Sequence, residues 1–225
     1  MAALWNITGL AGAILSALVV WNVFRNGLSR LTVSLVLYCV VVLTSDLPSF
    51  VEMIEPDLVF ADRRSYVVFY WICESTLQVL TFSLILSLLA RVMPDAGYRL
   101  LAAIPAAGLV CVLSFWFAFE AGRGISVSAV MTPVIRNLTF FACLLTAALW
   151  GAILRRRKLD RGLMLLASGT GLLTAGKAAG HAIRWLAGLD PSIVLAGNVV
   201  IVVTGLSSLL VWWFASRQPL PARST

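Results

Sequence analysis

Seven long apolar runs constrain the fold of this chain more than any other feature of its sequence. They cover approximately residues 3–24, 31–50, 66–90, 98–119, 128–154, 162–187 and 192–215. Helices of this length cross the roughly 30 Å hydrocarbon core of a bilayer. Only 12% of the residues are charged, about half the share in a soluble domain. The sequence therefore predicts an all-α membrane bundle of seven transmembrane helices, with residues 1–215 as a single domain and 216–225 as a short cytoplasmic tail.

The positions of Lys and Arg predict the orientation of this bundle. Of the 17 basic residues, 11 fall at ends of the runs that would share one side, most densely in "RRRKLDR" from Arg155. Basic residues in short loops mark the cytoplasmic side, so we expect the N-terminus outside and the C-terminus in the cytoplasm. The same run can contact anionic lipid or a partner protein. The net charge of +7 reflects this topology, and we expect no nucleic-acid binding.

The tryptophans give an independent indication of the same arrangement. Four lie near predicted outer ends and four near predicted inner ends, namely Trp5, Trp71, Trp116 and Trp185, then Trp21, Trp150, Trp212 and Trp213. Aromatic belts at both interfaces are typical of membrane bundles. We therefore expect the inner four at the cytoplasmic interface.

The residue types needed for metal, disulfide or hydrolytic chemistry are scarce. All four cysteines fall inside apolar runs, no C-x-x-C occurs, and the chain has one histidine. This pattern argues against a disulfide framework and against a multi-histidine zinc site. No G-x-S-x-G motif is present to supply a nucleophile. We expect no enzymatic activity, no bound metal and no cofactor.

The sixth run contains an unusual basic stripe within "GKAAGHAIRW". Lys177, His181 and Arg184 are spaced i, i+4 and i+7, which places them on one face of a helix. Gly176 and Gly180 flank the lysine in a small-xxx-small pattern, which permits a close helix neighbour. We expect that neighbour to bring its side chains near the stripe.

Polar groups on five of the runs lie at a common depth. Counted from the nearest cytoplasmic basic residue, each lies roughly 24 to 28 Å into the bilayer at about 1.5 Å per residue. They are Asp46, Glu74, Arg136, Lys177 and Asn198. Between this layer and the cytoplasmic surface the runs carry hydroxyls and one amide, but no charged residue. The layer therefore occupies the outer third of the predicted bundle.

Three explanations of this layer remain open on the sequence alone. Glu74 can pair with Lys177 or another cation and fix helix register, as in a structural subunit of a membrane complex. The layer can instead form a pocket open to the outside, as in a receptor or sensor. A transporter of a small solute is the third, although the inner part carries no ionisable group of the kind that a carrier of a charged substrate usually needs at the midplane.

The pocket is the function we predict. Basic groups outnumber acidic ones in the layer, so a small anion or carboxylate is the expected ligand, and a separate cytoplasmic or membrane protein would transmit the signal. The candidate ligand-binding residues are Asp46, Tyr70, Glu74, Arg136, Lys177, His181, Arg184 and Asn198.

Four short segments resemble a group of uncharacterised small seven-helix membrane proteins of bacteria. They are "LW" in the first run, "VFRNGLSRL" after it, "FYWICE" in the third run and "RGLMLLASGTGLLTAGK" opening the sixth. The resemblance implies a seven-helix fold in a bacterial cytoplasmic (inner) membrane. It implies no catalytic residue and says nothing of the basic stripe.

Overall fold

The chain is all-helical in a computed structural model, which describes residues 2–27, 30–54, 63–93, 103–120, 127–155, 160–186 and 190–218. Within these described residues the helices are α1 Ala2–Asn26, α2 Arg30–Ile54, α3 Arg63–Val92, α4 Ala103–Glu120, α5 Val127–Leu154, α6 Arg161–Leu186 and α7 Pro191–Ser216. Each overlaps one of the predicted runs. Most residues of "RRRKLDR" and of the loop before α3 lie outside the described residues.

Four of these helices are long and apolar enough to cross a membrane. They are α1 over Ile7–Asn26, α3 over Arg64–Val92, α5 over Val127–Leu154 and α7 over Pro191–Ser216. The apolar parts of α2 and α4 are shorter, Thr32–Pro48 and Ala103–Trp116. Helix α6 has 26 residues but is not among these four.

Six helices pack as a closed ring, and the seventh lies outside it. Following the ring, the neighbours are α1, α2, α3, α5, α6 and α7, and α7 returns to α1. Helix α3 also contacts α6 across the ring. Within the described part of the chain, α4 packs only against α5. Helices that follow one another in the chain run in opposite directions, whereas the ring neighbours α3 and α5, and also α7 and α1, run in the same direction. The bundle therefore has an N end, where α1 begins, and a C end, where α7 finishes.

The most extensive contact in the bundle is the glycine-lined seam between α6 and α7. A Cβ atom on Gly176 would collide with the side chain of Thr204, and one on Gly180 would lie 2.7 Å from the carbonyl oxygen of Gly197. A Cβ on Gly197 would in turn lie 2.6 Å from Cγ of Arg184. The close neighbour predicted from "GKAAG" is therefore confirmed, and it is α7.

The apolar core occupies the C end of the ring. Its fully buried side chains include Val19 of α1, Leu88 of α3, Leu149 of α5 and Leu166 of α6. These residues lie in the C-terminal parts of α1, α3 and α5 and near the start of α6. The polar layer predicted from the sequence lies at the opposite, N end.

Trp212 lies at the centre of this core, so its predicted place at a membrane interface was wrong. Its side chain is 0% exposed. The indole meets the ring of Tyr38 edge-on, with centroids 5.3 Å apart, and its Nε1 donates to the carbonyl oxygen of Leu166 at 3.3 Å. Gly169 makes the space, because a Cβ there would lie 2.6 Å from the indole. Trp213, by contrast, stacks under the guanidinium of Arg217, 3.7 Å from its ring centroid.

Candidate functional site

An ion pair between α3 and α6 forms the centre of the polar layer. Lys177 Nζ lies 2.8 Å from Glu74 Oε1, and the two side chains are 13% and 17% exposed. Glu74 lies on the third helix and Lys177 on the sixth, and the contact of α3 with α6 across the ring brings them together. The carboxylate neutralises the lysine at a depth where an unpaired charge is costly.

The remaining basic groups surround this pair towards the N end. His181 and Arg184 follow Lys177 by one and two turns, and both act electrostatically on Glu74. Arg136 of α5 acts on His181, and its guanidinium lies 5.5 Å from the ring centroid of Trp185. The site therefore gathers two guanidinium groups and an imidazole from α5 and α6 around one neutralised lysine.

Two tyrosines border the pair, and the sequence identified only one of them. Tyr70, one turn before Glu74, is 45% exposed and packs edge-on against Trp71. Tyr38 of α2 was not predicted, yet it acts electrostatically with both Lys177 and Glu74. It lies in an apolar run with no polar neighbour in sequence, so nothing in the sequence indicated that α2 faces the pair here.

Asn198 and Asp46 complete the predicted set, and only Asn198 lies near the stripe. Asn198 is half-buried and follows Gly197, which packs directly against Arg184. Asp46 is half-buried at the other side of the ring, with its Oδ2 facing Gly12 of α1. The structure thus places Asp46 apart from the cations that it was expected to accompany.

Below the ion pair, a buried column of polar side chains extends towards the C end between α3, α5 and α6. Its members are Gln78 and Thr81 of α3, Thr139 and Thr146 of α5, and Thr170 and Thr174 of α6. Each threonine hydroxyl donates to the carbonyl oxygen four residues earlier. Such bonds satisfy the hydroxyl hydrogen locally. The column therefore presents mainly oxygen acceptors, together with the amide of Gln78.

A separate cavity of about 350 Å³ opens near the start of α3. Arg64, Ser65, Val68, Phe69 and Ile72 line it. None of the predicted ligand-binding residues is among these lining side chains. Within the described residues, no group of three or more His, Cys, Asp or Glu side chains converges as metal ligands.

Comparison with known proteins does not extend this picture. No protein-family model, curated protein or solved structure matches the chain. The function is therefore argued from the geometry alone.

The chemistry available at the N end is recognition of negative charge. A guanidinium presents a planar fork of N–H donors that matches a carboxylate bidentately. Lys177 uses one of its three donors on Glu74, which leaves two for another acceptor. Arg136 and Arg184 stand on adjacent helices, α5 and α6, which pack directly against one another.

Proposed function

We propose that this chain is a receptor- or sensor-like protein of a bacterial cytoplasmic membrane. In this proposal all seven helices span the bilayer, the N-terminus is outside and the C-terminus is in the cytoplasm. The polar layer at the N end binds a small anionic or carboxylate ligand from the outside. A separate cytoplasmic or membrane protein receives the signal.

The charge balance of the layer is the observation that supports this proposal. Once Glu74 is paired with Lys177, Arg136 and Arg184 have no carboxylate partner among the described residues. Both side chains are half-buried, and a cation that has lost part of its hydration is stabilised by a nearby anion. A ligand carboxylate satisfies this need without breaking the ion pair.

A ligand held by both arginines gives a simple route for a signal. The bound ligand would bridge α5 and α6. The loop that connects these two helices at the C end carries the basic run beginning at Arg155. A ligand shifts a conformational equilibrium only through its different affinity for the two states. Here the state with Arg136 and Arg184 closer together binds the carboxylate better, and the loop between α5 and α6 reports that state to a partner.

Binding of simple carboxylates to the purified protein tests the proposal. We expect isothermal titration in nanodiscs to detect binding of at least one of acetate, butyrate, lactate and succinate. Arg184→Met and Arg136→Met should each weaken it about tenfold or more, because a bidentate charged contact is lost. Arg64→Met is the matched control, since it removes an arginine at the same end of the bundle but outside the layer. Equal weakening by all three variants, or no binding at all, would contradict the proposal.

Transport is the competing function, and the packed C end argues against it. The side chains of Leu88, Leu149 and Trp212 are fully buried there, and they close the ring where a carrier needs a polar path. Proteoliposomes loaded with the bound carboxylate should show no flux above protein-free vesicles. Protein-dependent flux would contradict the sensor and identify the protein as a carrier. A partner protein that co-purifies with the chain in the absence of any ligand binding would favour a structural subunit.

A further inference from the structure

We propose that Gln78 is the deep contact of this site and selects a short hydroxycarboxylate over the same acid without the hydroxyl. This inference rests on the function proposed above and names its ligand class. In it, the carboxylate lies among the cations at the N end, and the hydroxyl reaches past the ion pair to the amide of Gln78.

The amide of Gln78 is buried without an adequate partner. The side chain is 3% exposed, and its Nε2 has no hydrogen-bond partner. Its Oε1 lies 3.4 Å from Oγ1 of Thr139, but that hydroxyl donates its single hydrogen to the carbonyl oxygen of Ile135 at 2.8 Å. Turning the amide round would let Nε2 donate to Thr139 and would leave Oε1 alone instead. In either orientation one end of the amide lacks a partner.

The position of Gln78 connects this unsatisfied group to the ligand site. It follows Glu74 by four residues, so both side chains lie on the same face of α3, about 6 Å apart along the axis. Glu74 and Lys177 retain 17% and 13% of their side-chain exposure, and Gln78 lies one turn beyond them on α3. Buried polar groups in proteins are normally hydrogen-bonded. An unpartnered amide directly below a cationic site therefore indicates a polar group that arrives from outside the chain.

The chemistry of the polar column explains why the ligand group that contacts Gln78 should be a hydroxyl. A hydroxyl both donates and accepts, so it can accept from Nε2 of Gln78 and donate to a lone pair of Thr139 Oγ1. A second carboxylate would face threonine oxygens whose hydrogens are already committed, and it would be repelled by Glu74. A methyl group would leave the amide unsatisfied. The hydroxyl is the group that suits both the amide and the threonines.

Matched ligand pairs test this inference separately from the proposed function. We would titrate butyrate, 3-hydroxybutyrate and 4-hydroxybutyrate into the wild type, Gln78→Leu and Thr81→Val. We expect one of the hydroxybutyrates to bind the wild type about fivefold more tightly than butyrate, as one added neutral hydrogen bond provides. Gln78→Leu should abolish this preference and keep the butyrate affinity within about twofold. Thr81→Val, one turn deeper on α3 and already bonded to Leu77, should keep the preference.

Each other outcome has a definite meaning. Equal binding of all three acids by the wild type, or a preference retained in Gln78→Leu, overturns the inference and leaves the carboxylate site standing. Failure of butyrate and both hydroxybutyrates to bind overturns it as well, and if the simple carboxylates also fail, the proposed function falls with it.

Thermal unfolding shows whether the amide is structural instead. We expect Gln78→Leu to match or exceed the wild-type Tm, since an unpartnered amide is replaced by an apolar group of similar size. A fall of several degrees would overturn the role of Gln78 as a ligand contact.

Discussion

At the scale of single residues, the polar layer holds one cation in an ion pair, Lys177, and two arginines with no ion-pair partner in the described part of the chain. Lys177 contributes to the fold through Glu74, whereas Arg136 and Arg184 have no acidic partner among the described residues. A structural pair and a ligand site are thus compatible within one layer, because they use different side chains. Substitution of Lys177 should therefore change stability, whereas substitution of Arg136 or Arg184 should change ligand binding.

Lys177→Met should destabilise the protein, because it leaves the Glu74 carboxylate partly buried and unpaired. Removing one partner of a buried pair costs about 3 kcal/mol or more. Adding Glu74→Gln should recover most of this loss, since the double variant holds no uncompensated charge. Thermal unfolding of both variants in detergent measures the difference. An unchanged midpoint in Lys177→Met would mean that water already stabilises Glu74 and that the pair contributes little.

The sequence placed Glu74 and Lys177 at the same level of the bundle, which their ion pair confirms, but it left the partners within the layer open. Helical periodicity and distance from the basic loops were enough to put Glu74 and Lys177 at the same level. Choosing Lys177 rather than Arg136 as the partner requires knowing that α3 crosses the ring to α6, and no local pattern encodes that. Asp46 has the same depth yet lies against α1, so depth alone did not identify the members of the site.

At the scale of helices, the seam between α6 and α7 is the part whose geometry depends most on residue size. Gly176→Ala should destabilise the bundle by about 1 to 3 kcal/mol, because the added methyl group collides with Thr204 in a packed contact. The side chain of Thr204 cannot easily move away, because its hydroxyl donates a hydrogen bond to the carbonyl oxygen of Val200 at 2.7 Å. Gly205→Ala is the matched control, as its Cβ would meet nothing within 4 Å. Comparing the two unfolding midpoints checks the prediction, and equal effects would contradict the close seam.

The start of α7 should give a small pH-dependent contribution to stability. Asp190 caps this helix, and its Oδ1 accepts from the backbone N–H of Ser192 at 2.9 Å and from the Ser192 hydroxyl at 2.6 Å. These hydrogen bonds hold the pKa of the carboxyl below its ordinary value. Because the folded pKa is the lower one, the contribution is complete above about pH 4 and is lost as the pH falls through the folded pKa. The Tm advantage of the wild type over Asp190→Asn should therefore shrink between about pH 4 and pH 2. An advantage that stays constant over this range would contradict the assignment.

At this scale the positions of the helices were predicted from the sequence, but the packing of Trp212 was not. Hydropathy located all seven helices, because apolar runs of this length are unambiguous. Trp212 was misplaced because its position near the end of a run is the same for an interfacial and for a buried tryptophan. The signal that separates them is Gly169 on the neighbouring helix, one heptad before Gly176, and it becomes meaningful only when α6 and α7 are known to touch.

At the scale of the whole molecule, the described helices form a ring of six with α4 outside it, and the two ends of this ring differ in composition. The C end is packed and apolar, and the N end is polar and partly open. Such a bundle can change at one end while the other keeps its structure. Hydropathy could not predict the closed ring, because all seven runs carry the same signal and none indicates its neighbours.

The orientation of this bundle is open to direct labelling. Leu186→Cys places a thiol at the exposed end of α6, and Arg155→Cys places one at the opposite end of α5. With a membrane-impermeant maleimide, we expect Leu186→Cys to react in spheroplasts and Arg155→Cys to react only after lysis. The wild type, with its four native cysteines in apolar helices, gives the background. The reverse pattern would invert the proposed topology.

The ion pair between α3 and α6 also affects how the chain is made. Glu74 and Lys177 are 103 residues apart, and a ribosome adds about 5 to 20 residues per second. Glu74 is therefore added to the chain roughly 5 to 20 s before the lysine that neutralises its carboxylate. During that interval the cell holds an apolar helix with an uncompensated acidic group. The ion pair therefore cannot form until α6 has been made, and a ribosome stalled before Lys177 would leave α3 without its counter-ion.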